Sequence, residues 1–154
     1  SMNNSLSYKG FELSVFLQGI AGNKIYNANN IDNTGMAAAY NQTTDVLKRW
    51  QGEGTSNSMP RAVFGDPNQN TRVSDRFVEN GSYLRLKNIT LSYTFPKQWL
   101  QKAQIENARL SLSCENVATI TGYSGFDPEV GINGIDQNRY PISRTFSLGL
   151  NFNF

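Results

Sequence analysis

The chain has 154 residues, enough for one domain with a sizeable core, yet only 38% are hydrophobic, 17% are charged and the mean hydropathy is −0.47. A net charge of +2 with no basic stripe excludes nucleic acid as a partner. Histidine is absent, which removes the usual general base and the commonest metal ligand, and the single Cys114 has no internal disulfide partner.

No run of about 18 apolar residues occurs, so no transmembrane helix is expected. No charged-then-apolar leader opens the chain either, and the expectation is a C-terminal piece of a longer exported protein. Residues 2–8 and 11–20 flank Lys9-Gly10, and the second run alternates Phe11, Leu13, Val15 and Leu17 against Glu12, Ser14, Phe16 and Gln18. This predicts two strands joined by a very tight turn. From 22 to 81 the alternation is lost for roughly sixty residues, far beyond an ordinary connection. Inside that loop Met36, Tyr40, Leu47 and Trp50 have helical spacing, so a short helix over 36–50 is expected, with Thr34 as its N-cap.

Strand signal returns over 82–95. Leu84 and Leu86 fall on even positions while Ile89, Leu91, Tyr93 and Phe95 fall on odd ones, so a β-bulge at Lys87-Asn88 is needed to keep all six on one face. Pro96 ends this strand, and Trp99 and Leu100 in the short connection suit a membrane interface. The next strand, 107–117, sets Ala108, Leu110, Leu112 and Cys114 against Arg109, Ser111, Ser113 and Glu115. Cys114 is therefore a small apolar group on the greasy side, with no base to make it a nucleophile. A second polar loop covers about 118–142.

The last strand, 143–154, puts Phe146, Leu148, Leu150, Phe152 and Phe154 on one face and only Thr145, Ser147, Gly149, Asn151 and Asn153 on the other. A soluble sandwich would usually carry charge on its wet face. A face of small uncharged polar groups fits instead a wall between lipid and a watery lumen, so those five apolar residues are expected to face the membrane. The fold class this defines is all-β, an antiparallel transmembrane β-barrel segment of about five strands. The connections run short, very long, short, long, which places Lys9-Gly10 and 96–105 on the periplasmic side and the loops 22–81 and 118–142 outside.

The residues Ser82-Tyr83-Leu84-Arg85-Leu86-Lys87-Asn88-Ile89-Thr90-Leu91-Ser92-Tyr93-Thr94-Phe95-Pro96, then Glu115-Asn116-Val117, Thr119-Ile120-Thr121-Gly122-Tyr123, Asp127-Pro128-Glu129 and Gly149-Leu150-Asn151-Phe152, resemble in order the C-terminal end of SusC/RagA-type TonB-dependent outer-membrane transporters of Bacteroidetes. Tyr8-Lys9-Gly10-Phe11, Arg49-Trp50 and Pro60-Arg61 fit the same pattern. The resemblance implies a barrel of twenty-two strands in the whole protein, with plug and TonB-contacting segments upstream. It further implies import of oligosaccharides or peptides, with a SusD-like surface lipoprotein as lid and TonB supplying energy. The partners implied are the rest of the barrel, its plug, the lipoprotein, TonB and the lipid bilayer. An apolar-alternating strand ending in Phe is also similar to the signal by which such barrels are recognised for insertion.

Candidate ligand-binding residues lie in the loops. Trp50, Tyr123, Tyr140 and Phe126 would offer rings to a sugar face or a lid protein, or else pack the loops together. Arg49, Arg61 and Arg139 would bind carboxylate or sugar hydroxyl groups, or else pair with Asp45, Asp66 or Asp136. Asp127 belongs to the same candidate set. Asp66, Asn68 and Asn70 have the spacing of a calcium loop, but Thr71 and Phe77 stand where an EF-hand needs Gly and Glu. Asp127, Glu129 and Asp136 form a looser calcium candidate, and no other cofactor is implied. Two alternatives share the strand pattern: a passive outer-membrane porin, and a soluble all-β carbohydrate-binding module whose apolar faces meet a closed core. No paired carboxylates at a defined spacing propose an enzyme.

Overall fold

The computed structural model describes residues 1–154, apart from the side chain of Ala103. Its strands are β1 (Met2–Tyr8), β2 (Phe11–Ile20), β3 (Lys24–Asn27), β4 (Val78–Asn80), β5 (Tyr83–Thr94), β6 (Asn107–Thr121), β7 (Ile135–Asp136) and β8 (Thr145–Asn153). Only two short α-helices accompany them, α1 (Asn29–Asn33) and α2 (Lys97–Leu100). The chain divides into two compact units, one built from 1–21, 82–122 and 141–154 and the other from 22–81 and 123–140.

The first unit is one antiparallel sheet in the order β1-β2-β5-β6-β8. Because side chains alternate across a strand, register decides which residues share a face. Leu13 pairs with Leu6 and Leu91, Leu91 with Leu112, and Leu112 with Leu148. A second row runs from Phe11 through Tyr93 and Leu110 to Leu150. The apolar face is thus continuous over all five strands. It is also open: Leu6, Leu91, Leu112 and Leu148 are 69%, 44%, 53% and 74% exposed.

The alignment survives only because the strands count differently. Val15 to Leu17 in β2 faces Ile89 to Leu86 in β5, and those face Cys114 to Ala118 in β6, so each successive strand spends one more residue over the same level. The extra residue in β5 is Lys87, where the parity of the sequence breaks. In β6 the additional step falls at Asn116-Val117, where Asn116 takes a φ of +53°. Such bulges raise local twist and coil the sheet, as a barrel wall requires. β6 also continues to Thr121, past the 117 expected from alternation.

The β1–β2 connection is the two-residue turn Lys9-Gly10, with φ of +46° and +87°. Two positive φ values in succession match the right-handed twist of the strands. A Cβ on Gly10 would lie 2.9 Å from the Thr94 carbonyl oxygen, whose own amide donates to the Gly10 carbonyl at 2.8 Å. Gly10→Val is therefore expected to destabilise this hairpin by about 2 kcal/mol. Hydrogen exchange at the Phe11 and Thr94 amides would measure it, and unchanged protection would refute it.

The second unit shows that the two long segments are not simple loops. They contain a three-stranded sheet in the order β4-β3-β7, in which β3 and β7 run parallel through Tyr26 with Ile135 and Asn27 with Asp136. Its small core is Ile25, Tyr123 and Val130, with Phe77 also buried. The helix expected over 36–50 does not form, and only a single 3-10 turn occupies Thr44–Lys48. Thr34 is the reason in part: its hydroxyl donates back to the Asn30 carbonyl at 2.6 Å, so it closes α1 instead of opening a helix. Gly35 packs against the Ile31 carbonyl and Met36 takes a φ of +53°, which turns the chain away from helical geometry.

Candidate functional site

On the sheet face opposite the apolar one, serine, threonine and asparagine dominate. The register places Ser14, Thr90, Ser113 and Ser147 in one row and Glu12, Ser92, Ser111 and Gly149 in the next. Arg109 reaches across β5 to Glu12 with a 2.8 Å ion pair, and Ser92, small and 2% exposed, lies in the strand between them. Both charges are nearly half exposed, so the pair contributes little to stability and mainly fixes two charges on the wet face. Gly149 completes this face, because a Cβ there would come within 2.6 Å of the Ser111 hydroxyl. Farther along β5, Arg85 is buried, donates from Nε to the Thr119 hydroxyl at 2.9 Å and stacks over the Tyr83 ring.

The five apolar residues of the last strand, Phe146, Leu148, Leu150, Phe152 and Phe154, are between 50% and 82% exposed. Phe11, Tyr93, Phe95 and Trp99 form a chain of rings at the short-turn end of the sheet, with successive centroids 4.5, 5.2 and 6.4 Å apart.

The loop candidates meet different fates. Tyr123, proposed as an outward ring, is buried with Ile25 and Val130, and its hydroxyl donates to Asp136 Oδ2 at 2.6 Å. Burial, the Asp136 hydrogen bond and the neighbouring carboxylates all hold its phenol protonated far above the usual tyrosine range. Asp136 is buried too, and its Oδ1 accepts the Arg139 amide. Asp127 Oδ1 accepts the Glu129 amide at 2.8 Å, while the Arg139 guanidinium donates to the Glu129 carbonyl at 3.1 Å. The structure thus gathers Tyr123, Asp127, Glu129, Asp136 and Arg139 into one folded turn. Among the described residues no three Asp, Glu, Cys or His side chains group together as a metal site would need. Phe126 and Tyr140 remain exposed rings.

Trp50 and Arg49 belong to the 22–81 segment. The Trp50 amide donates to the Met59 carbonyl at 3.0 Å, and the Arg49 guanidinium to the Val46 carbonyl. Asp45 takes Lys48, not Arg49, at 2.9 Å. Asp66 accepts the Asn70 amide and both the amide and hydroxyl of Thr71, which makes its calcium-like spacing a self-capped turn.

Burial pushes the Asp66 carboxyl up, but those hydrogen bonds from Thr71 and Asn70 outweigh it and hold the group below its ordinary value. A carboxyl whose folded value is depressed adds stability above its unfolded value, near 3.8, and that stability is lost as pH falls through the lower folded value. Local protection of the 66–71 turn is accordingly expected to hold from neutral pH down to about 4 and to fall below it. Thr71→Val should move that loss to higher pH, as amide exchange against pH would show.

The residues that sequence reasoning missed are Glu79 and its partners. One Glu79 carboxylate accepts the side-chain amides of Asn27 (2.9 Å) and Asn30 (3.0 Å) together with the amide (2.9 Å) and hydroxyl (2.7 Å) of Ser124. It therefore fastens segment 22–81 to segment 123–140.

No family model matches the chain. It is 35% identical over 99% of its length to TonB-dependent receptor P3 of Formosa agariphila, and 32% identical over 99% to TonB-dependent receptor SusC of Bacteroides thetaiotaomicron. Among solved structures it matches the RagAB peptide transporter at 30% identity with a TM-score of 0.81 over 96% of the chain. In each case the chain spans only about 15–16% of the longer protein. A two-faced antiparallel sheet with these relatives is a portion of an outer-membrane β-barrel wall. The chain belongs to the TonB-dependent receptors of the SusC/RagA type, and it is barrel wall rather than an enzyme.

Proposed function

We propose that this chain forms part of the barrel of a TonB-dependent importer that carries oligosaccharides or peptides across the outer membrane together with a SusD-like surface lipoprotein. The observation that carries the reading is the apolar face, unbroken over five strands, set back to back with a face of hydroxyl, amide and paired charged groups. Such a wall suits hydrocarbon on one side and a hydrated passage on the other. The residues Phe146, Leu148, Leu150, Phe152 and Phe154 would touch lipid, and the second unit would lie on the extracellular side with Trp50, Arg49, Tyr123, Asp127 and Arg139 in or around the substrate path. A plug and a TonB-contacting segment would come from the rest of the receptor.

The kinship with the RagAB peptide transporter and with SusC supports import over passive diffusion. Cells expressing the intact receptor and its neighbouring lipoprotein are expected to accumulate a labelled oligosaccharide or peptide only while TonB and the proton gradient are intact. Uptake that continues undiminished after TonB is deleted would make the protein a porin.

A further inference from the structure

The 22–81 segment also folds around a cavity of about 390 Å3, lined in part by Asn68 and Asn70 of the turn that Asp66 caps. Its wall is rich in hydrogen-bonding groups and holds two arginines, Arg72 and Arg76, and no carboxylate. The amides of Asn57, Asn68, Gln69 and Asn70 and three serines supply the rest of its polar surface.

The two arginines differ in kind. Arg76 is fixed: its guanidinium donates to the carbonyls of Asn70 and Thr34 and to the Thr34 hydroxyl, each at 3.3 Å. Those partners are neutral and orient the guanidinium, while the Asp66 carboxylate acts on its charge through space. The nearby Asp66 has its oxygens occupied by Asn70 and Thr71. Arg72 is exposed, its backbone amide bound to the Gln69 carbonyl, and its guanidinium forms no ion pair among the described residues. A planar fork of donors with no acid to meet it suits a bidentate carboxylate or sulfate. Met59 and Pro60 line one side of the cavity.

We propose that this cavity binds an acidic oligosaccharide. Arg72 forms the charged contact with a carboxylate or sulfate ester, Arg76 holds the neighbouring wall in place, and the amides and serines take ring hydroxyls. An acidic peptide is the less suitable occupant, because the wall is dominated by amide, hydroxyl and guanidinium groups and offers little apolar surface for peptide side chains. The inference rests on the import function proposed above and narrows its substrate class.

The test uses the intact receptor purified in detergent and titrated calorimetrically with four probes: tetragalacturonate, a sulfated carrageenan tetrasaccharide, neutral maltotetraose and tetraglutamate. One of the two acidic saccharides is expected to bind about tenfold more tightly than maltotetraose, and which one it is distinguishes carboxylate from sulfate. Arg72→Gln should remove about tenfold of that affinity and leave maltotetraose binding unchanged, while Arg72→Lys should keep part of it. Equal binding of neutral and acidic saccharides, no binding of either acidic one, indifference to Arg72→Gln, or tetraglutamate binding as tightly as the saccharides would each overturn the proposal. The import function proposed above is tested separately, by whether uptake requires TonB, so a failure at Arg72 leaves that reading standing.

Discussion

Replacing Leu148 by Arg in the intact receptor is expected to cost about 2–4 kcal/mol of folding stability in lipid, while Ser147→Arg one position away costs less than about 1. Leu148 is 74% exposed and pairs with Leu112 on the continuous apolar face, whereas Ser147 pairs with Ser113 on the polar one. A guanidinium placed among acyl chains must drag water with it or stretch toward a headgroup, and neither is needed in a hydrated lumen. Denaturant unfolding of the reconstituted receptor measures the difference, with the outer-membrane fraction of expressed protein as a second readout. Equal costs at the two positions would mean that the sheet does not separate lipid from water.

The second large effect is expected at Glu79. Glu79→Ala leaves four donors without their acceptor, among them the side-chain amide of Asn27, which is only 2% exposed. Hydrogen bonds to a charged acceptor contribute about 1.5–3 kcal/mol each, and a buried donor left unmatched costs about 1–3. Shared among neighbours and partly replaced by water, the loss should come to roughly 3 kcal/mol, felt locally. Hydrogen exchange is expected to accelerate at Lys24–Asn27 and around Ser124 while the amides of β5 and β6 keep their protection. Glu79→Gln, which keeps one acceptor oxygen, should fall between. A uniform loss across both units would show that Glu79 holds more than the two segments it joins.

The barrel character was legible because each strand of the first sheet keeps one apolar and one polar face. Alternation writes that requirement into Phe11, Leu13, Val15 and Leu17, and again into Phe146 to Phe154. The bulge at Lys87 was legible for the same reason, since a period of two cannot absorb a change of parity without an extra residue. The second unit was not. Its strands have four, three and two residues, too short to show a period, and they are held by side chains bonding across sequence gaps such as 27 to 124. Nor does a pattern reveal that Glu79 collects Asn27, Asn30 and Ser124, or that Tyr123 turns inward to Asp136 instead of outward to a ligand. The helix expected over 36–50 failed partly because Thr34 can cap forward or bond backward and the sequence does not say which, and partly because Met36 takes a positive φ.

The parallel pairing of β3 with β7 has a kinetic consequence. Tyr26 and Ile135 are far apart along the chain, and bringing them together from an open coil carries a large loop-closure entropy. The hairpin of β5 and β6 shortens that path, because Tyr83 pairs with Thr121 and so sets the ends of the two distant segments side by side. Pairing of β5 with β6 is accordingly expected to precede closure of the small β4-β3-β7 sheet during folding.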